Sequence, residues 1–414
     1  MKRPVFNLTK RTAIVFGAIL FLVLLNISLG VFYLKFLTVA EATETIPAYP
    51  ELAAVPMQAM SSEELKSYLK KIAETKGGVY AFEILKRADL PEKVDVHLTA
   101  HTIGDILFKQ KGAKGIQYCT HDFRNACSHS IVIGLFLKEG EKGLSDLAPL
   151  CKKAPGGKGA YGMCFHGLGH GVLALSDYDM ENAVRICDGL SPGKDKLEAR
   201  ECIGGTMMEM VSGVHDREVW QLQVEKYFTD DPLSPCSRDF VPSYAKPICY
   251  TYLTPSLVIA AGGTIANPDN AIYRRAFQSC EGIPGDQTVN RIACYGGFGK
   301  EFVVIAREKD VRNVAAITLP EIQKIYEWCS LAGVTDGERY CLDQSLNSLF
   351  WGGENDRAGA VRFCDAAGDD EGKSACFNRL TGLIGYYIGD KEYRKSYCSE
   401  IPSVLKSDCT KRLL

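Results

Sequence analysis

All seven histidines of this 414-residue chain fall between positions 97 and 215, at His97, His101, His121, His129, His166, His170 and His215. Two spacings carry the chemistry. "HLTAH" holds His97 and His101, and "HGLGH" holds His166 and His170. Residues four apart share one face of a helix, so each pair can aim two imidazoles at one point. Neutral imidazole is the commonest protein ligand for transition metals, and metal ligation is the chemistry this spacing predicts. His129 joins the set because it stands two residues after a cysteine in "CSH", as His166 does in "CFH".

The expected ligands are therefore His97, His101, His129, His166 and His170. His121 beside Asp122, Asp105 one turn beyond His101, Glu209 inside "TMMEM", and His215 are expected as further ligands or as hydrogen-bond partners behind them. Zn, Cu and Fe all suit imidazole. Met207, Met208 and Met210 would suit Cu(I), although methionines on apolar helices ordinarily fill cores. More than four imidazoles could hold two ions or a noncovalent haem. An open coordination position would let a bound water act as nucleophile, or let iron or copper handle oxygen. Two competing readings use the same residues: a hydrogen-bonded polar core, and a catalytic site without metal.

Helices must position these rings, and the cysteines indicate which. The 16 cysteines form eight successive pairs: Cys119 and Cys127, Cys151 and Cys164, Cys187 and Cys202, Cys236 and Cys249, Cys280 and Cys294, Cys329 and Cys341, Cys364 and Cys376, Cys398 and Cys409. Their second members recur every 33 to 47 residues, the range of helical-hairpin repeats. A helix-like run such as "MENAVRIC" ends on the first cysteine, and an apolar run such as "CIGGTMMEMVSGV" begins on the second. Each unit thus reads as helix A, a loop, then helix B, with a disulfide closing the loop. Closing loops of this length is worth about 2 to 3 kcal/mol each. Basic residues recur just before the second cysteine (Arg124, Arg200, Lys246, Arg291, Arg339, Lys373, Lys406) and read as donors to loop carbonyls.

The predicted fold is an all-α solenoid of seven or eight disulfide-linked hairpins, with B helices lining one surface and A helices the other. In architecture only, it resembles the helical-hairpin solenoids of the Sel1-like and tetratricopeptide kind; cysteine spacing and helix signatures differ. Histidine is not needed to build helix B: the column of His129 and His166 holds Gly204, Thr251, Gly296, Asp343 and Asn378 in later repeats. Gly167, Gly169 and Gly171 leave room beside the second pair but weaken the helix, by roughly 1 kcal/mol each relative to alanine. "PEKVDVHLTAH" reads as a helix with Pro91 in its first turn, and a helix from about Ser62 to Thr75 is expected with Ser61 or Ser62 as N-cap.

"GKGAYG" at Gly157 to Gly162 matches a dinucleotide fingerprint, yet it reads as an inter-cysteine loop without a preceding strand. No CxxC, HExxH or GxSxG occurs, so zinc ribbons, thioredoxin-like centres, zincin proteases and serine hydrolases lack their anchors.

The amino-terminal segment sets the expected location. Residues 1–11 are basic and 12–34 run uncharged, long enough to span a bilayer as a signal anchor, although "VAEA" at Val39 to Ala42 also allows cleavage. A linker over 35–61 and a repeat domain over 62–414, with its histidine-rich part at 91–215, should then lie outside the cytoplasm. Residues 1–35 hold five of the 48 basic side chains, leaving 43 against 50 acidic ones. That mildly acidic surface argues against nucleic acid as a partner. The membrane, through residues 12–34, is the expected partner, with a protein on the solenoid surface as a second. Three functional readings follow: a metal or haem protein, an interaction scaffold with structural histidines, and a metal-dependent hydrolase or oxidase acting on an external small substrate.

Overall fold

Disulfides between successive helices tie the chain into hairpins in the computed structural model; Cys119 and Cys236 lie in the segments that follow their A helices, and Cys164 and Cys294 lie inside their B helices. The structure describes residues 49–120, 122–191, 196–213, 215, 217–264, 269–352 and 356–414. The expected basic tail and membrane span, and residues 35–48 of the expected linker, lie outside the described residues. Among the described residues no helix is long and apolar enough to cross a membrane.

The chain divides into two units, Met1–Ala54 and Val55–Leu414. Of the first, the described part contains one short helix, α1 (Pro50–Ala54). The second opens with α2 (Ser62–Lys76) and α3 (Gly78–Arg87). Ser61 caps α2 through a reciprocal pair of bonds with Glu64, as the sequence implies.

Hairpins follow in order: α4 (Val96–Lys111) with α5 (Ala126–Glu139), α6 (Leu144–Cys151) with α7 (Gly157–Leu175), and α8 (Met180–Asp188) with α9 (Leu197–Ser212). Next come α10 (Arg217–Tyr227) with the split pair α11 (Lys246–Tyr252) and α12 (Thr254–Ala260), then α13 (Asn270–Gln278) with α14 (Thr288–Ala306). The last are α15 (Leu319–Ser330) with α16 (Thr335–Gly352), α17 (Arg357–Asp365) with α18 (Asp370–Tyr387), and α19 (Lys391–Glu400) with α20 (Ser403–Leu413). All eight expected disulfides are present.

The two helix types differ in what they bury. A helices are amphipathic: α8 buries Met180, Ala183, Val184, Ile186 and Cys187 and turns its other face outward. Aspartate side chains cap several of them, at Asp179, Asp269, Asp356 and Asp390. The B helices α5, α7 and α9 are buried nearly all round, as helices packed on both sides must be, whereas α18 and α20 at the far end bury one face. They pack in sequence, α5 on α7, α7 on α9, α9 on α11, α11 on α14, α14 on α16 and α16 on α18. Small residues permit this closeness. A Cβ at Gly169 would lie 2.7 Å from the Thr206 nitrogen of α9, and one at Gly205 would overlap the His166 carbonyl of α7.

The row curls back on itself. Arg124 Nη2 donates to Ser348 Oγ at 2.9 Å, Lys158 sits 3.5 Å over the Tyr386 ring, and Arg312 donates to the carbonyls of Leu85 (3.0 Å) and Ala88 (2.7 Å). These contacts join early elements to late ones, and a half-open cavity of about 490 Å³, walled mainly by B helices, lies beside Arg124, Lys158, Ser348 and Tyr386.

Two local expectations need correction. "GKGAYG" forms the first turns of α7 rather than a loop, because its glycines pack against neighbours: Gly159 faces Trp351. Pro91 lies outside α4, which starts at Val96 because Asp95 caps it by accepting from the Leu98 nitrogen at 2.9 Å.

Candidate metal centre

Three helices and one loop bring six histidines into one cluster. α4 supplies His97 and His101, α5 supplies His129, α7 supplies His166 and His170, and His215 follows α9. Neighbouring ring centroids are 4.8 to 6.4 Å apart, and His129 lies between the two pairs, 5.7 Å from His97, 5.6 Å from His101, 5.8 Å from His166 and 6.0 Å from His170. Gly167 makes this possible, since a Cβ there would meet the His129 ring at 2.6 Å. His101, His129, His166 and His170 are buried; His97 is half-buried, and the His215 side chain keeps 24% of its surface.

The partners of each ring fix where its lone pair points. His97 Nδ1 lies 2.6 Å from the Phe123 carbonyl, which only accepts, so Nδ1 carries the proton and Nε2 is bare. His101 Nδ1 lies 3.2 Å from Ser130 Oγ, whose own proton goes to the His101 carbonyl at 3.0 Å. Oγ therefore accepts, and His101 Nε2 is bare as well. The two bare nitrogens face each other at 3.2 Å. Facing lone pairs repel unless a cation lies between them, and two imidazoles on one tetrahedral ion would stand about 3.3 Å apart, given metal–nitrogen bonds of about 2.0 to 2.1 Å.

In the second pair only His170 has its proton placed by a partner. His170 Nδ1 lies 3.0 Å from Glu209 Oε2, which fixes the proton there, and its Nε2 faces His166 Nε2 at 3.4 Å. Met208 Sδ is 3.4 Å from His166 Nε2, whereas Met207 and Met210 are core. Neither ring nitrogen of His129, nor Nδ1 of His166, has a hydrogen-bond partner among the described residues although all are buried. Unpaired buried nitrogens of this kind are what a ligand set leaves behind.

Glu209 is the hub behind the rings. Fully buried, it accepts from His170, from His215 Nδ1 at 2.8 Å, from the His215 main chain at 3.0 Å and from Tyr178 Oη at 2.6 Å. Burial alone would raise its carboxyl, but the histidine hydrogen bonds hold it well below the usual range. Burial, reinforced by neighbouring imidazoles, keeps His101, His129 and His166 well below the ordinary histidine value, so they are neutral and able to ligate. Burial also lowers His97 and His170. His215 goes the other way: burial opposes its charge, but the bond to Glu209 and the charge of Asp105 outweigh it.

Two groups of ligand atoms lie close enough to hold an ion: His97, His101 and His129, and His170, Glu209 and His215. Asp105 stands at the exposed rim near Ser130 and His215, outside both groups. His121 lies outside the described residues. His215, expected as a further ligand or partner, is drawn in after the left-handed turn at Gly213.

The loop closed by Cys119 and Cys127 adds residues that spacing could not reveal. Phe123, Arg124 and Asn125 all adopt positive φ, at 59°, 52° and 63°. Three successive non-glycine residues in this region are costly, and such strain gathers where it positions functional groups. Here it turns the Phe123 carbonyl to His97 and the Arg124 side chain into the cavity. The predicted carbonyl-bonding role suits Lys246 and Lys406, which reach Ser237 and Ser399, but not Arg124. The cavity opens on His97, His129 and His166.

No protein-family model matches the chain, and neither the curated proteins nor the solved structures contain a significant match.

Proposed function

We propose that this chain is a membrane-anchored, extracytoplasmic metalloprotein: a curved solenoid of disulfide-closed hairpins whose first repeats hold a transition metal. The observation that carries this reading is the pair of bare Nε2 atoms of His97 and His101 facing each other at 3.2 Å, beside His129 with both nitrogens unpartnered. His97, His101 and His129 would hold one ion. His166 and His170, oriented by Glu209, would complete that sphere or hold a second. Eight sequential disulfides support a compartment that keeps thiols oxidised. Imidazole donors suit Zn, Cu or Fe, and Met208 beside His166 favours a soft ion such as Cu(I) at the second pair.

A catalytic role is favoured over a scaffold by one observation, the cavity that opens on three of the histidines. A metal bound there would activate water or a substrate oxygen. The test is metal titration of the full-length chain against His166→Ala combined with His170→Ala. The reading predicts lost uptake and a smaller rise in thermal stability on metal addition; unchanged uptake and stability would refute the assignment of this pair.

A further inference from the structure

Beyond the histidines, the cavity wall holds a cation with no counter-ion. Arg124 is sunk into the wall, held by one hydrogen bond from Nη2 to Ser348, and its Nε is buried without a partner. No carboxylate within ion-pair distance faces it among the described residues. The carboxylates nearby are engaged: Glu301 pairs with Lys300, and Glu201 accepts from Arg200 at 3.1 Å. A guanidinium stays charged at any pH a protein survives, so leaving it half-buried, with Nε buried and no carboxylate against it, is costly. The strained backbone that aims it inward adds to that cost.

The rest of the wall describes the ligand's body. The Tyr252 ring lies tilted against His166 at 4.8 Å, and Trp351 and Tyr387 line the same space. A cavity of about 490 Å³ lies within the range of small-molecule sites. We infer that it binds a small monocarboxylate with an aromatic or apolar body, its carboxylate on Arg124 and its other end toward the histidines. The planar fork of a guanidinium fits a carboxylate edge, and Lys158 and Lys309 also line the cavity, Lys158 over the Tyr386 ring.

The orientation toward the histidines rests on the metal reading; the carboxylate site itself rests on Arg124 alone. Calorimetric titration of the full-length chain with benzoate, its uncharged isostere benzamide, and inorganic phosphate tests this, alongside metal analysis of each variant. Benzoate should bind and benzamide at least tenfold more weakly. Arg124→Gln should weaken benzoate at least tenfold while metal content stays at the wild-type level, and Arg124→Lys should recover part of the loss. If His166→Ala with His170→Ala removes metal yet leaves benzoate binding, the carboxylate site stands. If metal is never found but benzoate still needs Arg124, only the metal reading fails. Equal binding of benzoate and benzamide, tighter binding of phosphate, no benzoate binding at millimolar concentration, or a folded Arg124→Gln protein that binds benzoate normally would overturn the proposal.

Discussion

Glu209 shows how much one side chain can determine at this site. By accepting from His170 Nδ1 it turns the ring's other nitrogen toward His166, which a neutral amide would do less strongly. Glu209→Gln should therefore weaken metal affinity about 10- to 100-fold, measured by competition with a calibrated chelator. Acid should also destabilise the metal-free protein. The unfolded chain takes up protons near the ordinary histidine value of 6.5, whereas buried His101, His129 and His166 resist protonation, so folding competes with protonation below that pH. Stability from these groups is complete above pH 6.5 and declines as pH falls; His97 and His170 are shifted the same way, and His215, shifted upward, opposes the trend but is one residue against five. Thermal unfolding of metal-free protein at pH 7.5 and pH 5.5 should show the lower midpoint at pH 5.5, and an equal or higher midpoint there would count against a buried neutral cluster. The i,i+4 pairs and the shared column of His129 and His166 were legible because helical periodicity writes them into the chain. Arg124 was not, because its direction depends on three left-handed residues that spacing does not encode.

At the level of helices, the site depends on how closely α7 approaches its neighbours. Gly169→Ala would place a methyl group 2.7 Å from the Thr206 nitrogen and force α7 and α9 apart. Overpacking of this kind costs about 1 to 3 kcal/mol, and here it should also lower metal affinity by separating His170 from Glu209. Gly285→Ala, with nothing within 4 Å of the added atom, is the matched control and should leave both unchanged. Denaturant unfolding together with metal titration of the two variants checks this. The hairpins and their disulfides follow from cysteine order, since a cysteine at each end of a short loop leaves few geometric alternatives. Helix starts were harder to read: "GKGAYG" looks like a loop by propensity and is helical because Trp351 and other distant side chains pack on its glycines.

For the molecule as a whole, the row of B helices creates a cavity only by closing. The closing contacts, Arg124 with Ser348 and Arg312 with Leu85 and Ala88, join residues more than 220 positions apart, which no local pattern predicts. Reduction of the disulfides should lower the thermal midpoint even in metal-loaded protein. The Cys187–Cys202 loop, with a separation of 15, is worth about 3 kcal/mol by loop entropy. Unchanged unfolding in reductant would show that the hairpins do not rely on their cross-links. The central claim is that the histidine cluster holds a metal, and elemental analysis of the oxidised full-length chain against His97→Ala combined with His101→Ala tests it most directly. The account predicts stoichiometric Zn, Cu or Fe in the wild type and a loss of at least one ion per chain in the variant. A wild type without stoichiometric metal, or a folded variant that keeps the full complement, would contradict it.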